Sequence, residues 1–139
     1  MKFPKFLKIY GDPTYRGDCP LEEAEQITFF NKLRREYPDT YGLLALHPKN
    51  EAKRKGAQFR QLDRDKALCM SIGASDIILP GNPAFVVEMK RKDHTQCRWQ
   101  PKQIEYLEAA HAAGCFVGVA LGWKGAWEAF CEWSSSHEA

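Results

Sequence analysis

The sequence predicts an α/β fold in which a mixed central sheet is flanked by helices. Segments with helical and with strand character alternate along the chain, and the turn signal Pro80-Gly81-Asn82-Pro83 joins two apolar runs as a hairpin. One hairpin in an otherwise alternating order adds an antiparallel pair to a sheet with parallel connections. The length of 139 residues suits one core, so we expect a single domain over residues 1–139.

The first helix is expected to follow an irregular segment over residues 1–17. Asp18 or Cys19 is in a position to cap this helix, with Pro20 in its first turn. The helix should run to about Tyr37, where a proline follows and stops it.

The middle of the chain should supply a strand, a helix and the hairpin. The apolar run 42–47 is typical of a short buried strand, and residues 59–71 of a second helix that ends at Gly73. Residues 76–79 and 84–90 form the two strands of the hairpin.

The last part of the chain should supply a helix, a strand and a helix. A third helix opens at 100–101 and stops at Gly114, a buried strand covers 116–121, and a last helix covers 123–133. The predicted order is therefore α-β-α-β-β-α-β-α. The aromatic residues of the last helix can serve either as core or as a dimer face. They are Trp123, Trp127, Phe130 and Trp133.

The return strand of the hairpin carries an acid and a base on one face. Side chains alternate along a strand, so Glu88 and Lys90 point away from its apolar residues. If 81–83 closes the hairpin as a three-residue loop, Asp76 lies opposite Glu88, with Cβ atoms about 4.5–5.5 Å apart. Two carboxylates this close repel unless a cation separates them or one takes a proton, and a divalent metal with oxygen ligands meets that need. The alternative is a cross-strand ion pair in which Lys90 neutralises two surface acids.

The first helix is expected to turn polar groups towards this hairpin. Its apolar stripe continues backward from Phe30 in steps of four to Gln26 and Glu22, which places polar side chains on the inward face. Glu23 and Glu25 instead fit an exposed helix start, where acids favour the helix dipole.

The third helix places an amide in its first turn. Gln103 shares a face with Leu107 and Ala110, which is a core-facing side. Its amide either serves the acidic pair or only satisfies the start of its own helix.

Several classes of protein are disfavoured by composition. The five cysteines are odd in number and have no C-x-x-C spacing, which argues against a disulfide framework and a zinc site. No apolar stretch approaches the roughly 18 residues that span a membrane, and the basic start lacks the apolar run of a signal peptide. We therefore expect an intracellular protein with no membrane partner.

The net charge of +2 hides two basic segments. Residues 49–66 hold seven Lys and Arg against three Asp and Glu, and residues 90–102 hold five against one. Residues 103–139 hold one Lys against five Glu. Charge runs are usually solvated faces, but two basic segments flanking an acidic site favour a polyanion such as nucleic acid.

The chemistry-bearing residues resemble those of a known family. Asp76, then eleven residues, then Glu88-Met89-Lys90 are similar to the D…ExK core of the PD-(D/E)xK nucleases. Further motifs resemble the virus-type replication-repair nuclease (VRR-NUC) domain in its stand-alone phage and bacterial form. They are Glu22-x-x-x-Gln26, His47-Pro48-Lys49-Asn50-Glu51, Gly73-Ala74-Ser75-Asp76, and Gln103-Ile104-Glu105-Tyr106-Leu107 followed by Gly114. The resemblance spans about residues 22–130, and it departs from the family at Ser75, where proline is usual.

The resemblance implies a restriction-endonuclease-like fold that hydrolyses DNA phosphodiester bonds with Mg²⁺ or Mn²⁺. Asp76, Glu88, the backbone carbonyl of Met89 and Glu22 would hold the metal. Lys90 would orient the attacking water, and Gln103 would complete the catalytic set. Gln26 would be a supporting contact.

The resemblance and the charge pattern together imply a DNA partner. Phosphates would contact Lys49, Lys53, Arg54, Lys55, Arg60, Arg91, Lys92 and Arg98. Stand-alone members of the family suggest a homodimer that cuts branched DNA such as Holliday junctions in the cytoplasm of a bacterial or phage-infected cell. The alternatives are a non-catalytic DNA-binding module on the same fold, a restriction-like or single-strand nuclease, and an interaction protein with a structural ion pair.

Overall fold

The computed structural model describes residues 1–48, 64 and 72–136, which form a four-stranded mixed sheet flanked by helices. In chain order the elements are β1 (Lys8–Tyr10), α1 (Glu22–Glu36), α2 (Tyr41–Leu44), β2 (Ile77–Leu79), β3 (Phe85–Lys90), a 3-10 turn (His94–Gln96), α3 (Gln103–Ala112), β4 (Phe116–Leu121) and α4 (Gly122–Ser136). The expected fold class is confirmed.

The sheet has the order β1-β4-β3-β2. Strand β4 runs parallel to both β1 and β3, whereas β2 is antiparallel to β3 across the hairpin. All six residues of β3 are buried, because helices cover both faces of the sheet at this strand. Such a strand is expected to be almost continuously apolar, so the charged pair Glu88 and Lys90 in β3 needs a specific explanation.

The hairpin has the register that a three-residue loop dictates. Ile77 pairs with Val87 and Leu79 with Phe85, so the same register places Asp76 opposite Glu88. The loop is held in place by α4, where Trp133 donates its indole N–H to the carbonyl of Pro83 at 2.8 Å.

Two apolar clusters lie on opposite faces of the sheet. The larger cluster packs α1 and α4 against one face, and its central residues are Phe29, Leu33, Met89, Phe130 and Trp133. The smaller cluster packs Val86, Leu107 and Val117 with Leu7 on the face that α3 covers. Glu88 and Lys90 share the α3 face with Val86, as side-chain alternation predicts. Because Phe130 and Trp133 are fully buried, these two are core residues and do not form a dimer face.

Three expectations about local structure were wrong. Residues 1–17 contain β1, whose pairing with the interior strand β4 makes it an edge of the sheet. Helix α1 begins after Leu21 with no side-chain cap, so neither Asp18 nor Cys19 caps it, and Pro20 precedes the helix instead of lying in its first turn. The run 42–47 begins with the helical turn α2 and contributes only an isolated bridge from Leu46 to Ile78.

The other predicted helices and strands differ from the observed ones only at their end residues or lie outside the described residues. The helix expected over 59–71 lies outside them, apart from residue 64. Among the described residues, no helix combines the length and apolar character that crossing a bilayer requires.

Candidate active site

A buried chain of polar contacts joins β3 to the first turn of α3. Glu88 is 0% exposed and Lys90 is 1% exposed. The Gln103 amide lies between them: its Nε2 donates to Glu88 Oε1 at 3.0 Å, and its Oε1 accepts from Lys90 Nζ at 2.9 Å. Gln103 is therefore a bridge between the acid and the base.

The first turn of α3 fixes the orientation of the Gln103 amide. The backbone N–H of Gln100 donates to Gln103 Oε1 at 2.8 Å, which identifies that atom as the oxygen. Lys102, just before the helix, has the left-handed φ of 70°, and Gly73 packs directly against its backbone. A Cβ at residue 73 would lie 2.4 Å from the carbonyl carbon of Lys102, so only glycine permits this approach.

Lys90 is held from three sides. Besides Gln103, its ammonium donates to the backbone carbonyl of Arg98 at 2.9 Å and lies 5.2 Å from the centroid of the Trp99 ring. An ammonium has three N–H donors, and these contacts use two of them. Among the described residues, the third N–H has no protein acceptor.

Asp76 lies at the open end of the hairpin. Its carboxylate Oδ2 accepts from the backbone N–H of Met89 at 3.0 Å, and its backbone carbonyl accepts from His47 Nδ1 at 2.8 Å. The predicted opposition of Asp76 and Glu88 is thus present in the structure.

The environment of Glu88 opposes ionisation of its carboxyl group. Burial raises the pKa of Glu88 well above the ordinary value of 4.5, and the charges of Asp76 and Glu22 raise it further, while Lys90 acts in the opposite direction. Glu88 Oε2 is buried and accepts no hydrogen bond from any described residue. An uncompensated buried oxygen of this kind favours a proton or a cation beside it.

An open cleft of about 1200 Å³ lies over this network. Its wall includes Asp76, Gln103, Glu22 and Gln26, while Glu88 and Lys90 lie beneath the surface. The sequence-based expectation that Glu22 and Gln26 face the site is met by their position in the wall.

Glu25 does not have the exposed position that the sequence suggested. It is 7% exposed, and its Oε2 accepts from the backbone N–H of Trp123 at the start of α4. The carboxylate thereby satisfies one of the free N–H groups at a helix N-terminus, where negative charge is favoured. Counting back four residues from the buried Phe29 reaches Glu25, so the helical spacing in the sequence already places Glu25 on the buried face.

The fold has a counterpart among solved structures, although no family model and no curated protein matches the sequence. A solved structure described as "VRR_NUC domain protein" superposes with a TM-score of 0.65 at 17% identity, over 85% of this chain and 89% of that one. The chain has the VRR-NUC fold. This is a restriction-endonuclease-like architecture, as the sequence predicted.

Basic residues line part of the cleft of this VRR-NUC fold. Arg91 and Arg98 belong to its lining, and Arg98 is exposed. Lys92 is outside the lining, and its Nζ lies 4.1 Å from the centroid of the Tyr15 ring. Arg91 donates to the backbone carbonyls of Cys19 and Pro20, which ties it to the N-terminal segment. The other predicted phosphate contacts lie outside the described residues, and they are Lys49, Lys53, Arg54, Lys55 and Arg60.

The N-terminal segment braces the loop that follows β3. Asp93 in this loop accepts from the Thr95 hydroxyl at 2.6 Å and from the backbone N–H of Gly17 at 3.0 Å, and these contacts hold the pKa of its carboxyl below the usual range. Trp99 donates to the backbone carbonyl of Lys2 at 2.8 Å. The same loop provides the Arg98 carbonyl that holds Lys90, so the segment before α1 supports the site indirectly.

The residues of the VRR-NUC fold fit a divalent cation at Asp76 and Glu88. Within the described residues, no three His, Cys, Asp or Glu side chains converge closely enough to hold a metal by themselves. Two carboxylates face each other across the hairpin, however, and Glu88 Oε2 has no partner among the described residues. Carboxylate and backbone carbonyl oxygens are the donors that Mg²⁺ takes, usually together with several waters. Asp76 and Glu88 are therefore the two side chains that would hold such an ion, and Glu22 lines the same cleft.

Proposed function

We propose that this protein is a metal-dependent endonuclease that hydrolyses DNA phosphodiester bonds. The observation that carries the proposal is the buried chain Glu88–Gln103–Lys90 beneath an open cleft, with Asp76 opposite Glu88. A structural ion pair explains this arrangement poorly, because Glu88 and Lys90 are joined through an amide and Glu88 Oε2 has no hydrogen-bond partner among the described residues. The VRR-NUC fold supports the nuclease assignment.

Asp76, Glu88 and the backbone carbonyl of Met89 are the proposed ligands, and Glu22 acts through a water or a second ion. Mg²⁺ or Mn²⁺ bound there would offset the phosphate charge and lower the pKa of a bound water. The raised pKa of Glu88 suits this role, since a nearby cation favours the ionised carboxylate.

Lys90 is proposed to orient the attacking water and to stabilise negative charge as it develops on the phosphate. The third N–H of the Lys90 ammonium, which has no acceptor in the described part of the chain, is the proposed donor for this contact. The two occupied donors hold the ammonium in one position, so little rotational freedom is lost when substrate binds. Gln103 fixes the relative position of acid and base, and Gln26 is a supporting contact from α1.

The basic rim is proposed to hold the DNA backbone through Arg91, Lys92 and Arg98, together with the basic residues of 49–66. Contacts of this kind predict binding that weakens steeply with salt and depends little on sequence. The finer proposal is a homodimer that cuts branched DNA, in which a two-fold axis presents two sites to one junction.

The test is a cleavage panel of four-way junctions, flaps, duplex and single strands, each with Mg²⁺, with Mn²⁺ and with chelator. We expect cleavage only with metal, and a loss of at least about 100-fold in Asp76→Ala and Lys90→Met. Matched controls are Asp39→Ala and Lys124→Ala, which remove an exposed acid and an exposed base outside the cleft. Circular dichroism melts establish that each variant is folded.

The outcomes separate the alternatives. DNA binding without cleavage under any metal condition would favour a binding module on this fold. Full activity in a folded Asp76→Ala or Lys90→Met variant would refute the site assignment. Cleavage restricted to single strands or to plain duplex would support the assignment as a nuclease and would contradict the proposal that branched DNA is the substrate.

A further inference from the structure

The hydrogen-bonding ladder beside Asp76 ends in an unusual way. Leu46 and Ile78 exchange both backbone hydrogen bonds, at 2.8 and 3.0 Å. In an antiparallel ladder such pairs recur every two residues, so the next pair would be residue 48 with Asp76. Residue 48 is proline and has no N–H to give.

A side chain takes the place of the missing donor. The carbonyl of Asp76 accepts instead from His47 Nδ1 at 2.8 Å. Because a carbonyl oxygen can only accept, Nδ1 carries the proton, which in the neutral ring leaves Nε2 as an acceptor. The imidazole also packs edge-on against the Phe30 ring, with centroids 6.0 Å apart, so the contact is supported from α1 as well.

On the β3 side of Asp76, a side-chain acceptor takes the place of a backbone acceptor. The register that pairs Ile77 with Val87 would place Ser75 opposite Met89. The Met89 N–H donates to the Asp76 carboxylate at 3.0 Å rather than to a backbone carbonyl. Among the described residues, the backbone carbonyl of Asp76 accepts from His47 and its carboxylate accepts from Met89, and of these two bonds only the first comes from outside the hairpin.

We propose that His47 is a positioning residue for Asp76. By replacing the donor that Pro48 lacks, it fixes the backbone from which the carboxylate projects towards Met89 and Glu88. The effect on metal binding rests on the proposed function, whereas the effect on the Asp76–Met89 contact does not.

The test compares two substitutions at residue 47. Asparagine places its Nδ2 at the same distance along the side chain as histidine Nδ1 and keeps a donor, whereas alanine removes it. The primary measurement is amide hydrogen exchange at Met89 by NMR, without metal or DNA. We expect exchange about five- to tenfold faster in His47→Ala and close to wild type in His47→Asn. His111→Ala, an exposed histidine outside the cleft, is the matched control and should change nothing.

A second measurement addresses the metal. Titration calorimetry with Mn²⁺ should show affinity about 10- to 100-fold weaker in His47→Ala, with His47→Asn near wild type. The inference is overturned if the Met89 amide exchanges equally in His47→Ala and wild type. It is also overturned if the Met89 amide exchanges as fast in His47→Asn as in His47→Ala. Equally faster exchange of the amides in β4 would overturn it too, because the substitution would then destabilise the whole sheet. If wild type binds no Mn²⁺ while the exchange result holds, the proposed function fails and the positioning role stands.

Discussion

Replacing Glu88 by glutamine should stabilise the metal-free protein. Glu88 is fully buried, and one of its carboxylate oxygens has no partner among the described residues. Glutamine has nearly the same shape and keeps an Oε1 that can accept from Gln103. It removes the charge that burial and the neighbouring acids disfavour.

The pH dependence follows from the direction of the pKa shift. Below about pH 4.5 the carboxyl is protonated in the folded and the unfolded chain, so the substitution has little electrostatic effect. Above that pH the unfolded chain loses the proton first, because the folded pKa is raised. Wild-type stability therefore falls as pH rises towards the folded pKa of Glu88, and the glutamine variant lacks this loss.

The expected size of the effect is set by the charge that is removed. Each unit by which the pKa is raised destabilises the ionised protein by about 1.4 kcal/mol. Leaving a buried polar group without its hydrogen bond costs about 1 to 3 kcal/mol, and more when the group is charged. We therefore expect Glu88→Gln to increase the free energy of unfolding by about 1 to 3 kcal/mol at pH 8. For a chain of this length this corresponds to a rise of about 3 to 10 °C in the unfolding midpoint.

The assay is thermal unfolding followed by circular dichroism from pH 4 to pH 9 in the presence of a chelator. Adding Mn²⁺ should stabilise wild type by about 3 kcal/mol at one hundred times its dissociation constant, and should stabilise Glu88→Gln much less. A variant that is less stable than wild type at pH 8 without metal would show that ionised Glu88 is already compensated. The cation would then not be needed at this position.

Three further substitutions test other parts of the structure. Ser75→Ala removes a buried hydroxyl that has no partner among the described residues. Urea unfolding should therefore show a free energy of unfolding about 1 kcal/mol higher than that of wild type. A lower free energy of unfolding would show that the hydroxyl has a hydrogen-bond acceptor. Glu25→Ala removes the acceptor at the start of α4 and should lower stability in the same assay by about 1 to 2 kcal/mol, so an unchanged midpoint would contradict the capping role. Asp93→Asn should lower the melting midpoint at pH 7, because the pKa of the Asp93 carboxyl is lowered in the folded protein. A carboxyl of this kind contributes stability at a pH above its ordinary pKa of 3.8, and this contribution is lost as the pH falls through the folded pKa. The difference in melting midpoint between wild type and Asp93→Asn should therefore become smaller below pH 3.8. A difference that stays constant with pH would show that the ionised carboxylate is not the cause.

The central hairpin could be predicted from sequence because its determinants are local. Proline and glycine restrict the loop 81–83, and the loop length alone fixes which residues face each other. The opposition of Asp76 and Glu88 then follows from counting. The amide of Gln103 could be placed on the correct face because α3 has a regular apolar spacing that continues to Leu107.

The parts that could not be predicted depend on distant contacts. Strand β1 is three residues long and is defined only by its pairing with β4, so no periodicity reveals it. The run 42–47 contains enough apolar residues for a strand, yet Leu43 is 73% exposed, and a short apolar run does not distinguish strand from helix. The role of His47 depends on a proline one residue later and on a bridge to a strand thirty positions away, which no local pattern encodes.

The pairing of β1 with β4 has a consequence for how the molecule is made. Lys8 lies beside Gly118, so nearly the whole chain separates the two partners. Closing so large a loop is entropically slow, and synthesis must pass Leu121 before the pairing can form. During synthesis, β1 therefore stays without its partner strand while the hairpin and α3 emerge from the ribosome. The contacts between β1 and β4 are therefore among the last in the described sheet to form.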